Sequence, residues 1–278
     1  MRLSVLVTTY NSPDWLEKVI WGFAHQTHRD FELVVADDGS GPETAQRIEQ
    51  LRRDTGLDVL HVWQEDDGFQ KTRILNKAIR AARTDYLLFT DGDCVPRSDY
   101  VAVHAQNAAP GRFLSGGYFK LPLPTSRAIT REDIATGRAF DPGWLRANGV
   151  PLSRGLLKLA VRGAWVTLLN AITPTRASWN GHNASGWKAD LVAVNGYDER
   201  MQWGGLDREL GERLENHGVR GLQLRYSAVC VHLDHPRSYK SADVVAFNRE
   251  IRRIVKTERR DWTEHGLVPG ARPAARPA

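Results

Sequence analysis

Two carboxylates separated by one glycine close a strongly apolar run in Tyr86-Leu87-Leu88-Phe89-Thr90-Asp91-Gly92-Asp93-Cys94-Val95-Pro96. The run is rich in β-formers and reads as a buried strand, so an ending in paired charges calls for a counter-ion. With Gly92 between them, Asp91 and Asp93 can curl toward one point at the strand's carboxyl end, where open α/β sheets place ligands. Two hard oxygen donors there suit Mg²⁺ or Mn²⁺, and such an ion also carries substrate phosphates. An isolated Asp-Gly-Asp can equally be a solvated turn serving local backbone bonds, and the choice turns on what accompanies it. A later strand ends in His232-Leu233-Asp234-His235, which supplies two imidazoles. Alone they would fit a pH-dependent turn or a zinc half-site, although two ligands with no nearby Cys argue against structural zinc.

These groups need a frame that gathers them. Strand-like runs at residues 3–8, 31–36, 59–63 and 86–90 alternate with helical spacing at 14–25, 43–54 and 73–83. That alternation predicts an α/β fold with a parallel sheet and right-handed crossovers. The acidic turns at Asp37, Asp38, Asp66, Asp67, Asp91 and Asp93 all follow strands and therefore collect along one sheet edge. Past Pro96 the pattern predicts a helix over 99–108, a strand within 111–121, an irregular stretch over 122–154, a helix over 206–217, a strand over 226–233 and a charged helix over 242–260. The Pro-, Ala- and Arg-rich residues 269–278 are expected to be disordered.

The chain's 278 residues suffice for one large domain with a substantial core, and its 41% hydrophobic and 26% charged content is that of a soluble globular protein. The net charge of +5 fits an anionic partner but is too diffuse to choose among nucleic acid, acidic lipid and sugar nucleotide. Cys94 and Cys230 give neither a disulfide framework nor a metal-binding spacing, which favours a reducing cytoplasm. No secretory signal is expected at the N-terminus, and no uncharged run reaches membrane-spanning length. Within residues 155–169, Lys158 and Arg162 lie four apart opposite a broad apolar surface. This predicts either an interfacial membrane helix or a helix packed on its own domain.

Ser4-Val5-Leu6-Val7-Thr8-Thr9-Tyr10-Asn11, Val34-Val35-Ala36-Asp37-Asp38-Gly39-Ser40 and Asp91-Gly92-Asp93 together resemble the family 2 glycosyltransferases of the Rossmann-like GT-A fold. The resemblance continues through Asn195-Gly196-Tyr197-Asp198-Glu199 and Trp203-Gly204-Gly205-Leu206-Asp207-Arg208-Glu209-Leu210, as in galactosyltransferase-like bacterial members. It implies a mixed, mainly parallel sheet flanked by helices, with a nucleotide-sugar-binding half over 1–98 and an acceptor half over 99–240. A variable insertion falls near 122–176 and a basic helix over 241–268.

The resemblance also assigns residues. Thr8, Tyr10 and Asp38 would meet the nucleobase, with Tyr10 as a stacking surface and Asp38 accepting an N–H, so uracil is expected; Asp37 would hold the turn. Over the donor, Asp67, Lys71, Arg73 and Asn76 fall in one segment, in which Arg73 or Lys71 would balance the pyrophosphate and Asn76 support the loop. Asp91 would reach the ribose or a metal-bound water, and Asp93 would ligate the ion with His235, His232 standing second. Asp207 is the expected general base, since inverting transfer needs a carboxylate opposite the leaving diphosphate. Trp203 would stack on a sugar, Gly204 and Gly205 leave room for its ring, and Asn183 and Trp187 would line the sugar pocket. Asp207 and Glu209 also suit a helix dipole. Many relatives carry Glu where this chain has Leu206.

The combined expectation is a Mn²⁺- or Mg²⁺-dependent inverting transferase. It would move sugar from a nucleotide-diphosphate donor, with UDP expected, to a glycan or glycolipid acceptor in bacterial surface polysaccharide or lipopolysaccharide assembly. It would be cytoplasmic, with peripheral contact to the inner membrane face. The alternatives are a sugar-nucleotide-binding protein without turnover and a metal-dependent nucleotidyltransferase, the latter lacking any phosphate-cradling Gly-rich loop. No nucleic-acid-binding module is readable, and the oligomeric state is open.

Overall fold

Leu3, Val5 and Val7 pack on one side of the first strand and Leu6 on the other, the two-residue period of an extended chain buried on both faces. The structure is a computed structural model describing residues 1–235 and 241–272; of the expected disordered tail, residues 273–278 lie outside the described residues. Its strands are β1 (Leu3–Thr9), β2 (Phe31–Asp37), β3 (Val59–Trp63), β4 (Tyr86–Asp91), β5 (Cys94–Pro96), β6 (Arg112–Lys120), β7 (Ala184–Trp187) and β8 (Arg220–His232). Among the described residues they form one sheet in the order β3-β2-β1-β4-β7-β6-β8-β5. β1 to β4 run parallel, whereas β7 is antiparallel to both β4 and β6, and β5 to β8.

Helices cover both faces. Leu16, Val19, Ile20 and Phe23 of α1 (Pro13–Ala24), with Ile48 and Leu51 of α2 (Pro42–Thr55), form one core with Val5 and Val7. Ile74, Leu75, Ala78 and Ile79 of α3 (Lys71–Ala81) form the other with Leu6 and Phe89. α4 (Tyr100–Asn107) follows β5. The chain leaves β1 toward β2 and returns on its other side as β4, so a crevice opens at the carboxyl ends of β1 and β4. Their register sets Thr8 beside Asp91.

Several expectations are corrected. Residues 122–154 are not irregular: they hold α5 (Leu123–Ala128), α6 (Arg131–Ala135) and α7 (Pro142–Ala147). Thr130 and Asp133 close a reciprocal capping box on α6, and Asp141 caps α7 at the amide of Trp144. Residues 155–169 are not one helix, because Gly163 at φ 60° separates α8 (Leu157–Ala160) from α9 (Ala164–Ile172). Lys158 and Arg162 therefore do not share a helical face. β8 begins six residues before the predicted start at 226, since a register jump between Gly116 and Gly117 loops out Arg225 to Ala228. Pro269 and Gly270 are ordered by a bridge to His265 and a bond to Glu264. No helix among the described residues is long and apolar enough to cross a membrane.

β7 leads into α10 (Lys188–Ala193), and α11 (Leu206–Asn216) precedes β8. On α11, Glu209 points away from the crevice and pairs with Arg213 at 2.6 Å, both side chains almost wholly buried. The same guanidinium donates to the Val194 and Gly196 carbonyls, closing the turn before Tyr197. α12 (Ala242–Thr257) lies against α11 and shares its core through Ile251 and Val255. Arg213→Met leaves Glu209 buried and uncompensated, and is expected to lower unfolding free energy by about 3–5 kcal/mol in urea titrations.

Candidate active site

Thr8 and Asp91 close the adjacent ends of β1 and β4, and the Thr8 hydroxyl donates to Asp91 Oδ1 at 2.8 Å. Lys71, the first residue of α3, reaches the same oxygen at 2.6 Å. Burial opposes ionisation of Asp91, but Lys71, His182 and the Thr8 bond outweigh it and hold the carboxyl well below its usual range. Lys71 is affected in the converse way: burial would discharge it, yet Asp91, Asp207 and Asp93 raise it above an ordinary lysine.

Asp207 arrives from the far wall in the first turn of α11. Gly204 and Gly205, at φ 108° and 100°, make the turn that delivers it. Asn248 of α12 braces that turn by donating to the carbonyls of Gln202, Trp203 and Gly204. The Asp207 carboxylate accepts the Gly181 amide and, at 3.4 Å, the Tyr197 hydroxyl. A Cβ on Gly181 would lie 2.3 Å from Asp207 Oδ1, so only glycine permits that approach. Burial pushes Asp207 up, and Lys71 pulls it back.

Asp93 faces the crevice from the turn before β5, whose pairing sets Cys94 opposite His232. His235 Nε2 lies 2.9 Å and His232 Nε2 3.6 Å from Asp93 Oδ2, with the imidazoles stacked at 5.6 Å. His232 Nδ1 is buried without a hydrogen-bond partner and its Nε2 faces Asp93, which suits a ring placed to ligate. One carboxylate and two imidazoles fit Mn²⁺ or Mg²⁺ with positions left for water and phosphate oxygens. Asp93, Cys94 and His232 form a cluster whose donor atoms lie within 4.8 Å of one another. Burial keeps the Cys94 thiol raised and protonated.

These groups line a single cleft of about 880 Å³, together with Tyr10, Asp38, Trp203, Gly204 and Gly205. At its other end Asp38 accepts the Gln64 amide at 2.6 Å and the Gln70 backbone at 2.9 Å, and burial raises it to about 6. Asp37 instead holds the turn, accepting from Ser40 and meeting His61 at 2.9 Å. Tyr10 is half exposed, its hydroxyl bound to Asp66 at 3.0 Å.

Other expected site residues are elsewhere. Asp67 and Arg73 pair with each other at 3.1 Å on the exposed rim. Asn76 is buried and bonded to Tyr197 and Glu199, so it supports the second wall without facing a ligand. Asn183 is wholly buried, spent on the Gly117 and Ala228 carbonyls and on His104. Trp187 packs on Tyr86 at 5.1 Å and donates to the Ala109 carbonyl, which makes it core. The segment 180–187 does reach the cleft, through Gly181 against Asp207 and through His182. Burial lowers the His182 imidazole to about 4 against the pull of Asp91, so it is neutral at pH 7. Its ring meets Tyr118 edge-on at 4.5 Å. Tyr118, Lys120 and Trp15 also line the cleft unanticipated. Strand alternation could have found Tyr118 and Lys120, two apart on β6 with the apolar Phe119 between them.

Residues 4–116 match the family model described as Glycosyl transferase family 2. The chain is 31% identical over 235 residues to Validoxylamine A glucosyltransferase of Streptomyces hygroscopicus subsp. jinggangensis, an alignment covering 78% of this chain and 52% of that protein. It thus spans about half the length of that relative. Staphylococcus aureus TarS 1–349 in complex with UDP-GlcNAc superposes with a TM-score of 0.60 at 18% identity, covering 93% of this chain and 69% of that one. Mannosyltransferase PcManGT from Pyrobaculum calidifontis, in complex with GDP-Man and Mn²⁺, gives 0.57 at 21% identity over 86% and 58%. The likeness in structure is one of fold, and the sequence likeness runs through both walls of the cleft. Residues 4–116 thus belong to glycosyl transferase family 2, and the chain has the GT-A fold.

Proposed function

We propose that the protein is a metal-dependent inverting glycosyltransferase that moves a sugar from a UDP-linked donor to a carbohydrate hydroxyl. The observation that carries this reading is the meeting of Asp93, His235, Lys71 and Asp207 on one cleft. Asp93 and His235 would hold Mn²⁺ or Mg²⁺, with His232 beside them and Asp91 behind. A divalent cation there supplies charge neutralisation for the departing diphosphate. Tyr10 and Asp38 would receive the nucleobase, and Trp203 with Gly204 and Gly205 the sugar. Donor complexes of two structural neighbours, with UDP-GlcNAc and with GDP-Man and Mn²⁺, support a nucleotide-diphosphate sugar.

The chain's residues then divide the work. Asp207 takes the proton of the acceptor hydroxyl as that oxygen bonds to the anomeric carbon, while the bond from that carbon to the diphosphate oxygen breaks on the opposite side. Lys71 opposes the upward push that burial gives Asp207 and fixes Asp91. We assign the reaction to bacterial surface polysaccharide or lipopolysaccharide assembly, at the inner face of the cytoplasmic membrane. A glucosyl donor with a small-molecule acceptor is a second reading, favoured by the likeness to Validoxylamine A glucosyltransferase.

Asp207→Asn is expected to lower kcat by roughly 10²–10⁴-fold while donor affinity, read by calorimetry, is retained. Unchanged turnover removes Asp207 from the mechanism.

Asp38 gives a pH signature. Its folded value of about 6 lies above the ordinary 3.8, so it stabilises the fold below pH 3.8 and that contribution is lost as pH rises through 6. Base recognition needs the ionised form and runs the other way. Uridine affinity is expected to rise roughly tenfold between about pH 5 and about pH 7 in titration calorimetry, and Asp38→Asn to flatten the profile.

A further inference from the structure

Among the described residues, helix α9 is a segment of regular structure whose sequence is strongly apolar yet whose side chains are left outside the core: none of its residues is buried. Trp165, Leu168 and Ile172, spaced three and four apart, share one face and are 68%, 45% and 62% exposed. Leu152 and Leu157, just before it in the chain, are exposed as well. The opposite side of α9 is fixed to the protein: Asn170 donates to the Ser227 hydroxyl at 2.7 Å and accepts the Tyr226 amide at 2.9 Å. The apolar face is thus held outward by polar contacts behind it.

Along the sequence its neighbourhood carries one sign of charge, although Glu215 pairs with Arg176 and Asp99 lies near Arg162. No Asp or Glu occurs from residue 142 through residue 189, although the chain has 33 of them, while Arg146, Arg154, Lys158, Arg162, Arg176 and Lys188 all fall in that stretch. Arg154 and Arg162 are exposed, and Arg225 binds Thr175 just beyond the helix's other end. Helix α12, richer in basic residues, is a poorer candidate for anionic contact because Arg252 and Lys256 are paired with Glu212 and Arg253 with Glu250.

We propose that the outward face of α9 docks on a bilayer surface containing anionic phospholipid, with Trp165, Leu168 and Ile172 at the headgroup–acyl boundary and Arg154 and Arg162 on the phosphates. An exposed apolar stripe with a predominantly basic border is the pattern of an in-plane interfacial helix. The preceding helix α8 adjoins the cleft: its Lys158 donates to the Tyr118 carbonyl at 2.9 Å and sits over that ring, and Tyr118 lines the cleft wall. An acceptor carried on a lipid would enter from that side. The inference deepens the membrane location given above by naming the surface that makes the contact, whereas sugar transfer itself stands with or without a lipid partner.

The test is co-sedimentation of the full chain with vesicles of phosphatidylglycerol or of phosphatidylcholine. Wild type is expected to sediment with the former, less so as salt rises, and not with the latter. Trp165→Ser/Leu168→Ser/Ile172→Ser is expected to weaken vesicle affinity by roughly tenfold or more, with its circular dichroism melt unchanged. Arg154→Glu/Arg162→Glu keeps the apolar face, guards against a folding defect, and is expected to weaken binding likewise. The proposal is overturned by equal sedimentation of wild type and both variants, or by no phosphatidylglycerol binding at low salt. It is also overturned by a wild-type dimer in light scattering that the α9 substitutions split, which would assign the face to a second copy.

Discussion

Three carboxylates from two distant parts of the chain converge on the Lys71 ammonium, and the site depends on that cation to let them coexist. Asp91 and Asp93 come from the end of β4, and Asp207 from the start of α11. Without a counter-charge, burial and mutual repulsion would drive protons onto them or push the walls apart. Lys71 is placed by the first turn of α3, whose apolar stripe is locked under the sheet. The anchor of the chemistry is therefore the packing of Ile74, Leu75, Ala78 and Ile79. An ammonium is also a charge that an incoming diphosphate can share, so the arrangement that stabilises the cleft is suited to receiving an anion.

The second wall needs more support, because Asp207 stands on a glycine turn and not on a strand. Asn248 ties the carbonyls of that turn to α12. Tyr197 holds Asp207 from behind and is itself held by the Trp179 indole at 3.0 Å. Tyr197 in turn follows Asn195, whose amide bonds to Thr263 and Val268 of the final segment. Residues 262–270 thus strap the loop that carries the wall, and their contribution is one of rigidity at a distance from the chemistry. Arg213, capping the Val194 and Gly196 carbonyls from inside, does the same from the core.

The first half of the chain was readable because its strands are buried on both faces and write themselves as nearly continuous apolar runs, as in Tyr86 to Phe89 of β4. The acidic turns after them needed only the parallel order to be placed on one edge. The second half was harder. Asn183 and His182 are neighbours pointing opposite ways, and composition alone could not say which one faced the cleft. Asn76 and Trp187 have types that suit ligands, but long-range partners, Tyr197 and the Ala109 carbonyl, claim them. Gly163 looked like one small residue in a helix, and only its positive φ shows the break that turns α9 outward. The extra residues of β8 were hidden by the loop-out after Leu224, which breaks the alternation that marks a strand.

The central claim is that a divalent cation binds at Asp93 and His235, across the cleft from Asp207. Anomalous scattering from crystals grown with Mn²⁺ and UDP tests it most directly. The account predicts one strong manganese peak at bonding distance from the Asp93 carboxylate and an imidazole of His235, with diphosphate oxygens on its open side and Asp207 facing it. A peak at the Asp37 or Asp66 turns instead, or no peak in the cleft at saturating Mn²⁺, would contradict it.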